Sequence, residues 1–188
     1  VKSKAILGEV YIDLSEDTLL TLGLRYNDDV VKDSVASCLT FFSCPAYPAS
    51  QKATSEYGFF PTQVVEADDA IGYKIAVQHN LSDNQMVYAS YTTATKAGGN
   101  NPNSTGTPDP YDQEETGVFE IGTKSILLDG AMLFNAAYFQ NTTDGMLISS
   151  IVNAGSRNVN TDAEINGFEG NLLFYMNETT SIDLTWLK

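Results

Sequence analysis

The feature that most constrains this chain is an alternation of apolar and polar residues with a period of two, repeated in segments of about ten residues. Between Thr18 and Tyr26, Leu20, Leu22, Leu24 and Tyr26 fall on one side of an extended backbone, and Thr21, Gly23 and Arg25 on the other. From Ile71 to Asn80 the two sides are Ile71, Tyr73, Ile75 and Val77 against Gly72, Lys74, Ala76 and Gln78. Successive side chains of a strand point to opposite faces, so each segment reads as a strand with one apolar face, about as long as a tilted strand needs to be to cross a bilayer. Further segments at 85–95, 116–126, 131–142, 162–176 and 182–187, with a weaker one at 5–14, bring the expected count to eight.

The connections alternate in length. Short turns are expected at Ser15-Glu16-Asp17, Ser82-Asp83-Asn84, Asp129-Gly130 and Asn177-Glu178-Thr179, and long loops at about 29–70, 96–115 and 143–161. Short turns at one end and long polar loops at the other describe an outer-membrane barrel with its long loops outside the cell. The fold class read from this is all-β: an antiparallel up-and-down transmembrane β-barrel segment, about eight strands of a larger barrel. Hairpins should join 18–28 to 71–80, and 116–126 to 131–142 through Asp129-Gly130, where Gly130 supplies a positive φ. Asn166-Gly167 is a strong hairpin signal, but Phe168, Leu172 and Phe174 keep one alternating face through it, which places it inside a strand or at a bulge. Two alternatives stand beside this reading. One is a small, complete eight-stranded outer-membrane barrel with a structural or adhesive role. The other is a secreted β-sandwich binding module, against which the three long loops argue.

Composition closes off other classes. No apolar run approaches the roughly 18 residues of a helical membrane span. A formal charge of -14, from 10 Lys+Arg and 24 Asp+Glu, repels nucleic acid. Cys38 and Cys44, the two cysteines, suit a small disulfide-closed loop in an oxidising compartment; the rival metal pair has no CxxC spacing and only His79 to join it. The start, Val1-Lys2-Ser3-Lys4, is not a signal peptide, so a leader is absent or already removed.

No catalytic constellation emerges, and neither an enzyme, nor a cofactor, nor a metal is expected. His79 has no neighbouring Cys or paired Ser and reads as structural or interfacial. The acidic pairs Asp28-Asp29, Asp68-Asp69 and Glu114-Glu115 read as solvated loop edges. Tyr26, Phe134, Tyr138 and Trp186 suit interfacial girdles on the lipid face. Phe41, Phe42, Tyr47, Phe59, Phe60 and Tyr111 fall in the long loops, where they either contact a small-molecule ligand or pack the loops together.

Four stretches in order carry a family resemblance. They are Leu22-Gly23-Leu24-Arg25-Tyr26; Met86 to Tyr91 leading to Gly98-Gly99; Glu120 to Lys124 leading through Leu128-Asp129-Gly130 to Asn135 to Phe139; and Asn153-Ala154-Gly155 followed by Gly167-Phe168-Glu169. Together they resemble the central barrel of TonB-dependent outer-membrane receptors. Two departures are Thr95-Lys96-Ala97, where the family usually has an aromatic residue, and Asn171, where an acidic residue is usual. The resemblance implies that residues 1–188 are part of a barrel domain, with the plug domain and terminal strands absent. It implies uptake of a scarce ligand, commonly a ferric siderophore, across the cell outer membrane, driven by the inner-membrane TonB complex acting through the plug region.

Such barrels are expected to turn Leu20, Leu22, Leu24, Ile75, Val77, Val87, Ala89, Phe119, Ile121, Phe134 and Leu184 towards lipid. Thr21, Arg25, Lys74, Gln78, Ser90, Glu120, Lys124, Asn135 and Glu169 should then face the lumen. A sandwich would bury the first set between two sheets.

Overall fold

The computed structural model describes residues 2–33, 63–66, 70–101, 109–152 and 155–188. Eleven strands follow one another, with no α-helix among the described residues. They are β1 (Lys2–Ser15), β2 (Thr18–Asp33), β3 (Gln63–Glu66), β4 (Ala70–Ser82), β5 (Gln85–Lys96), β6 (Gly99–Asn100), β7 (Pro110–Tyr111), β8 (Glu114–Leu127), β9 (Met132–Val152), β10 (Gly155–Asn177) and β11 (Thr180–Leu187). One antiparallel sheet takes the order β1-β2-β4-β5-β8-β9-β10-β11, with β3 added to β2, while β6 and β7 pair separately.

Each long strand pairs with its neighbour in sequence, the up-and-down meander that the alternating segments require. Both expected hairpins form: Thr18↔His79 to Asn27↔Ala70 joins β2 to β4, and Glu115↔Asp144 to Leu127↔Met132 joins β8 to β9. Asn166-Gly167 lies inside β10, whose register against β9 runs unbroken from Ala163↔Thr143 to Phe174↔Met132. The Asp129-Gly130 connection is a tight turn of left-handed backbone over Leu128–Gly130, closed by the Ala131 N–H donating to the Leu128 carbonyl at 3.0 Å. Its positive φ is shared by Leu128 (54°), Asp129 (51°) and Gly130 (92°). A left-handed Leu is unfavourable, and it is tolerated here in a tight turn that already has a flexible Gly.

Three expected loops are shorter than the sequence suggested. β2 continues to Asp33 and is extended by β3, from Val30↔Glu66 to Asp33↔Gln63. β6 and β7 form a two-residue ladder inside the 96–115 connection. The largest correction concerns 143–161: β9 runs to Val152 and β10 begins at Gly155, so the segment is a two-stranded ribbon. Met146-Leu147-Ile148 and Ile151-Val152 are consecutive apolar residues that break the period of two, and the Asn, Ser and Thr residues around them read as loop. The ribbon is re-aimed at its base by a bulge between Thr161 and Ala163, opposite Gly145 with φ 67°.

The register settles facing. Leu20 lies opposite Val77, Val77 opposite Ala89, Ala89 opposite Ile121, and Ile121 opposite Tyr138. Gln78, Tyr88, Gly122 and Ala137 make the equivalent row on the other face. Every residue of the expected apolar set shares the first face, and every residue of the expected polar set the second. The apolar side is uncovered: Leu24 is 61% exposed, Ile75 50% and Ile121 48%, and the only buried apolar residues among those described are Ala70 and Ala137. A second sheet would cover these side chains, so the sandwich reading fails. The small closed barrel fails too, because β1 pairs only with β2 and β11 only with β10 among the described strands. Apolar surface left in water on this scale would be strongly unfavourable, and hydrocarbon removes that cost.

Candidate functional site

The polar face and the loop-bearing end above it hold the residues able to meet a solute. On the polar face, Lys74 Nζ lies 3.1 Å from Glu9 Oε1, and Tyr11 Oη donates to the other oxygen of that carboxylate at 2.6 Å. Glu9, Gly23 and Lys74 are neighbours in register across three strands, and Gly23 leaves the space in which this pair forms. Beside them, Arg25 Nε donates to Oδ1 of the buried Asn27 at 2.7 Å, which fixes the guanidinium. A hollow of about 390 Å³ opens there, lined by Glu9, Arg25, Asn27, Lys74, Thr92 and Thr95.

Nearer the tight turns, Tyr88 lies flat across Gly122, its cross-strand partner, and donates to Glu120. Any Cβ at Gly122 would stand 2.7 Å from the Tyr88 hydroxyl. Lys124 Nζ sits 5.7 Å from the Tyr88 ring centre, a cation–π approach. Lys124, Asn135, Glu169 and Asn171, with Ala137 and Leu187, line a second hollow of about 510 Å³. Arg25, Lys74, Glu120, Lys124, Asn135 and Glu169 therefore share one face but fall into two groups, one around Glu9 and one around Tyr88.

At the loop end, the two flanks of the 97–113 connection are fastened to the β9–β10 ribbon. Asn101 is 5% exposed; its Nδ2 donates to the Asn158 carbonyl at 2.9 Å, and its Oδ1 accepts from the Asn158 N–H at 2.6 Å. One amide side chain thus imitates a strand partner for Asn158. Asn160 repeats the device, accepting from the Asp112 N–H at 2.8 Å and donating to the Asp112 carbonyl at 3.0 Å. Arg157 makes a bidentate pair with Asp109. The hydrogen bonds to Asp109 raise the pKa of Arg157 above its ordinary value. On its other side β6 lies against β2 and β3. The strap so formed reaches from β2 to β10, past β4, β5, β8 and β9 in the sheet order.

Among the expected ligand contacts, Tyr111 is half-buried, with its ring on Gly99, its partner in the β6–β7 ladder. Phe41, Phe42, Tyr47, Phe59 and Phe60, and the Cys38/Cys44 pair, lie outside the described residues. The strap contacts, Asn101, Asp109, Arg157, Asn158 and Asn160, were not singled out from sequence. The spacing Asn158, Asn160, Asp162 was the available signal, since alternate polar residues along a strand share a side. Among the described residues, no cluster of three or more His, Cys, Asp or Glu could hold a metal ion.

Comparison with known proteins is consistent along the chain. The family described as TonB dependent receptor-like, beta-barrel, matches residues 1–187. The ferric yersiniabactin uptake receptor FyuA from Yersinia pestis is 17% identical, superposes with a TM-score of 0.74, and is matched over 97% of this chain and 26% of its own. The copper transporter OprC, 19% identical with a TM-score of 0.70, is matched over 99% of this chain and 28% of its own. The siderophore receptor PirA from Pseudomonas aeruginosa, 19% identical with a TM-score of 0.66, is matched over 99% and 31%. A comparison with curated proteins finds no match. This chain therefore spans between a quarter and a third of the length of those three structures. At these identities the structures speak for the fold, and the family match over residues 1–187 speaks for descent: the chain belongs to the TonB-dependent receptors, as a stretch of their β-barrel.

Proposed function

We propose that this chain forms part of the wall of an outer-membrane transporter that takes up a scarce small ligand, a ferric siderophore. The observation that carries the reading is the division of one continuous sheet into an uncovered apolar face and a charged face. In this reading the apolar face meets outer-membrane lipid, and Arg25, Lys74, Glu120, Lys124, Asn135 and Glu169 line the lumen. The loop end lies outside the cell, where Tyr111 and the aromatic residues Phe41, Phe42, Tyr47, Phe59 and Phe60 contact the ligand. A Cys38–Cys44 disulfide closes a small loop beside them. The inner-membrane TonB complex supplies energy through a plug region. Siderophore receptors among the structural neighbours favour iron chelates as the ligand class.

The test is uptake of radioactive iron, presented as ferric siderophores, by iron-starved cells with and without the complete receptor gene, in the presence and absence of a protonophore. Receptor-dependent uptake that the protonophore abolishes is expected. Identical uptake with and without the gene, for every chelate class, would contradict the reading.

A further inference from the structure

The apolar face carries one polar residue whose setting is built. Thr18 and His79 are cross-strand partners on β2 and β4, two positions from the Leu20↔Val77 pair and on the same side. The Asp17 N–H donates to Ser15 Oγ at 3.3 Å, and Ser15 Oγ donates to Thr18 Oγ1 at 2.9 Å. Thr18 Oγ1 in turn lies 2.9 Å from His79 Nδ1. The threonine hydroxyl that accepts from Ser15 still has its own proton to give, and Nδ1 lies within reach of it. When Thr18 gives that proton to Nδ1, the ring proton of a neutral imidazole is on Nε2, a donor whose direction the Thr18 contact sets. The Asn80 N–H donates to the Asp17 carbonyl at 2.8 Å, which ties the turn to the strand carrying the imidazole.

From His79 a hollow of about 480 Å³ extends across the apolar face. Its floor is made of small side chains, Ala89, Thr123 and Ala136, and its far wall of Tyr138, Phe168 and Trp186. The wall is braced. Tyr138 packs on Phe168 with ring centres 5.0 Å apart, Phe134 stacks on Trp186 at 6.1 Å, and the Trp186 indole fills the space above Gly170. A trough in a face that meets hydrocarbon is filled by a hydrocarbon chain, and a fixed N–H at its mouth suits a phosphate oxygen. The two turns at that mouth carry the exposed carboxylates Glu16, Asp17 and Asp83 and no Lys or Arg. They repel a head group of net negative charge and attract an ammonium.

We propose that this trough seats one zwitterionic phospholipid of the phosphatidylethanolamine type. Its acyl chain lies over Ala136, its phosphate accepts from His79 Nε2, and its ammonium lies among the turn carboxylates. The inference rests on the apolar face being in lipid and is independent of which ligand is transported.

The test is native mass spectrometry of the complete, detergent-purified receptor with added dipalmitoyl phosphatidylethanolamine, phosphatidylglycerol or diacylglycerol. The wild type should retain one phosphatidylethanolamine in preference to phosphatidylglycerol. Ala136→Phe, which fills the trough with apolar atoms, should lower that retention about tenfold. His79→Leu should lower retention of both phospholipids, which share the phosphate, while leaving diacylglycerol retention unchanged. Heat-modifiable gel mobility reports that each variant is folded, and iron uptake by the same variants keeps this test separate from that of the transported ligand. Equal retention of the two phospholipids by the wild type, or unaltered retention in Ala136→Phe, would overturn the proposal.

Discussion

Arg157 holds Asp109 through two parallel hydrogen bonds, Nε to Oδ2 at 3.0 Å and Nη2 to Oδ1 at 2.9 Å, joining residues 48 positions apart in the chain. The pair is solvent-exposed, so its contribution to global stability is small, and its effect is to place the strap. Arg157→Ala should leave the folded receptor intact but raise protease cleavage within 97–113 on whole cells several-fold. Arg157→Lys, which keeps the charge without the fork, should behave closer to Ala than to wild type. Unchanged cleavage in both variants would show that the strap is held elsewhere.

Asn101 is the stronger fastening, being buried and bonded at both ends of its amide. Asn101→Ala strands the Asn158 backbone groups and should cost about 1–3 kcal/mol of local stability. The expected readout is faster hydrogen exchange at the Asn158 amide than in the wild type, with exchange in β8 unaffected. Asn101→Asp, which keeps the acceptor and loses the donor, should fall between the two.

Tyr88 and Gly122 fit together on the polar face because Gly122 has no Cβ. Gly122→Ala forces the new methyl against the Tyr88 hydroxyl and the Ala136 carbonyl, both 2.7 Å away. Overpacking of this kind costs about 1–3 kcal/mol, which urea unfolding in lipid vesicles would register as a lower midpoint. Tyr88→Phe removes only the bond to Glu120 and should cost less, about 0.5–1.5 kcal/mol. A Gly122→Ala midpoint equal to wild type would mean that the ring does not lie on the glycine in the assembled receptor.

The two faces should differ in their tolerance of charge. Ile75→Arg puts a guanidinium on the lipid side of β4 and should destabilise by roughly 2–4 kcal/mol if it lies near the bilayer midplane. Thr92→Arg, on the polar face opposite Lys74, should be far milder. Equal costs, measured by the same unfolding assay, would deny the difference between faces.

What could be read from sequence follows from where the environment is two-sided. Strands β2, β4, β5 and β8 have an uncovered apolar face and a polar one, so residues such as Leu22/Gly23/Leu24 and Lys74/Ile75 print the period directly. In the ribbon, Met146-Leu147-Ile148 and Ser149-Ser150 print no period, so the sequence there reads as loop. The strap contacts were illegible for another reason. Asn101 and Asn158 are 57 residues apart, and nothing local at either one names the other. The divided faces were thus legible, while the loop end, where specificity is expected, was not.

Whether this sheet is the lipid-facing wall of a barrel is tested most directly by spin labels placed singly at each position from Tyr73 to Gln78 in the complete receptor, reconstituted in lipid vesicles. Accessibility to oxygen, which concentrates in hydrocarbon, and to a water-soluble nickel chelate should alternate with period two. Oxygen access should peak at Tyr73, Ile75 and Val77, with nickel access rising at Lys74, Ala76 and Gln78. Absence of alternation, or the opposite phase, would contradict the account.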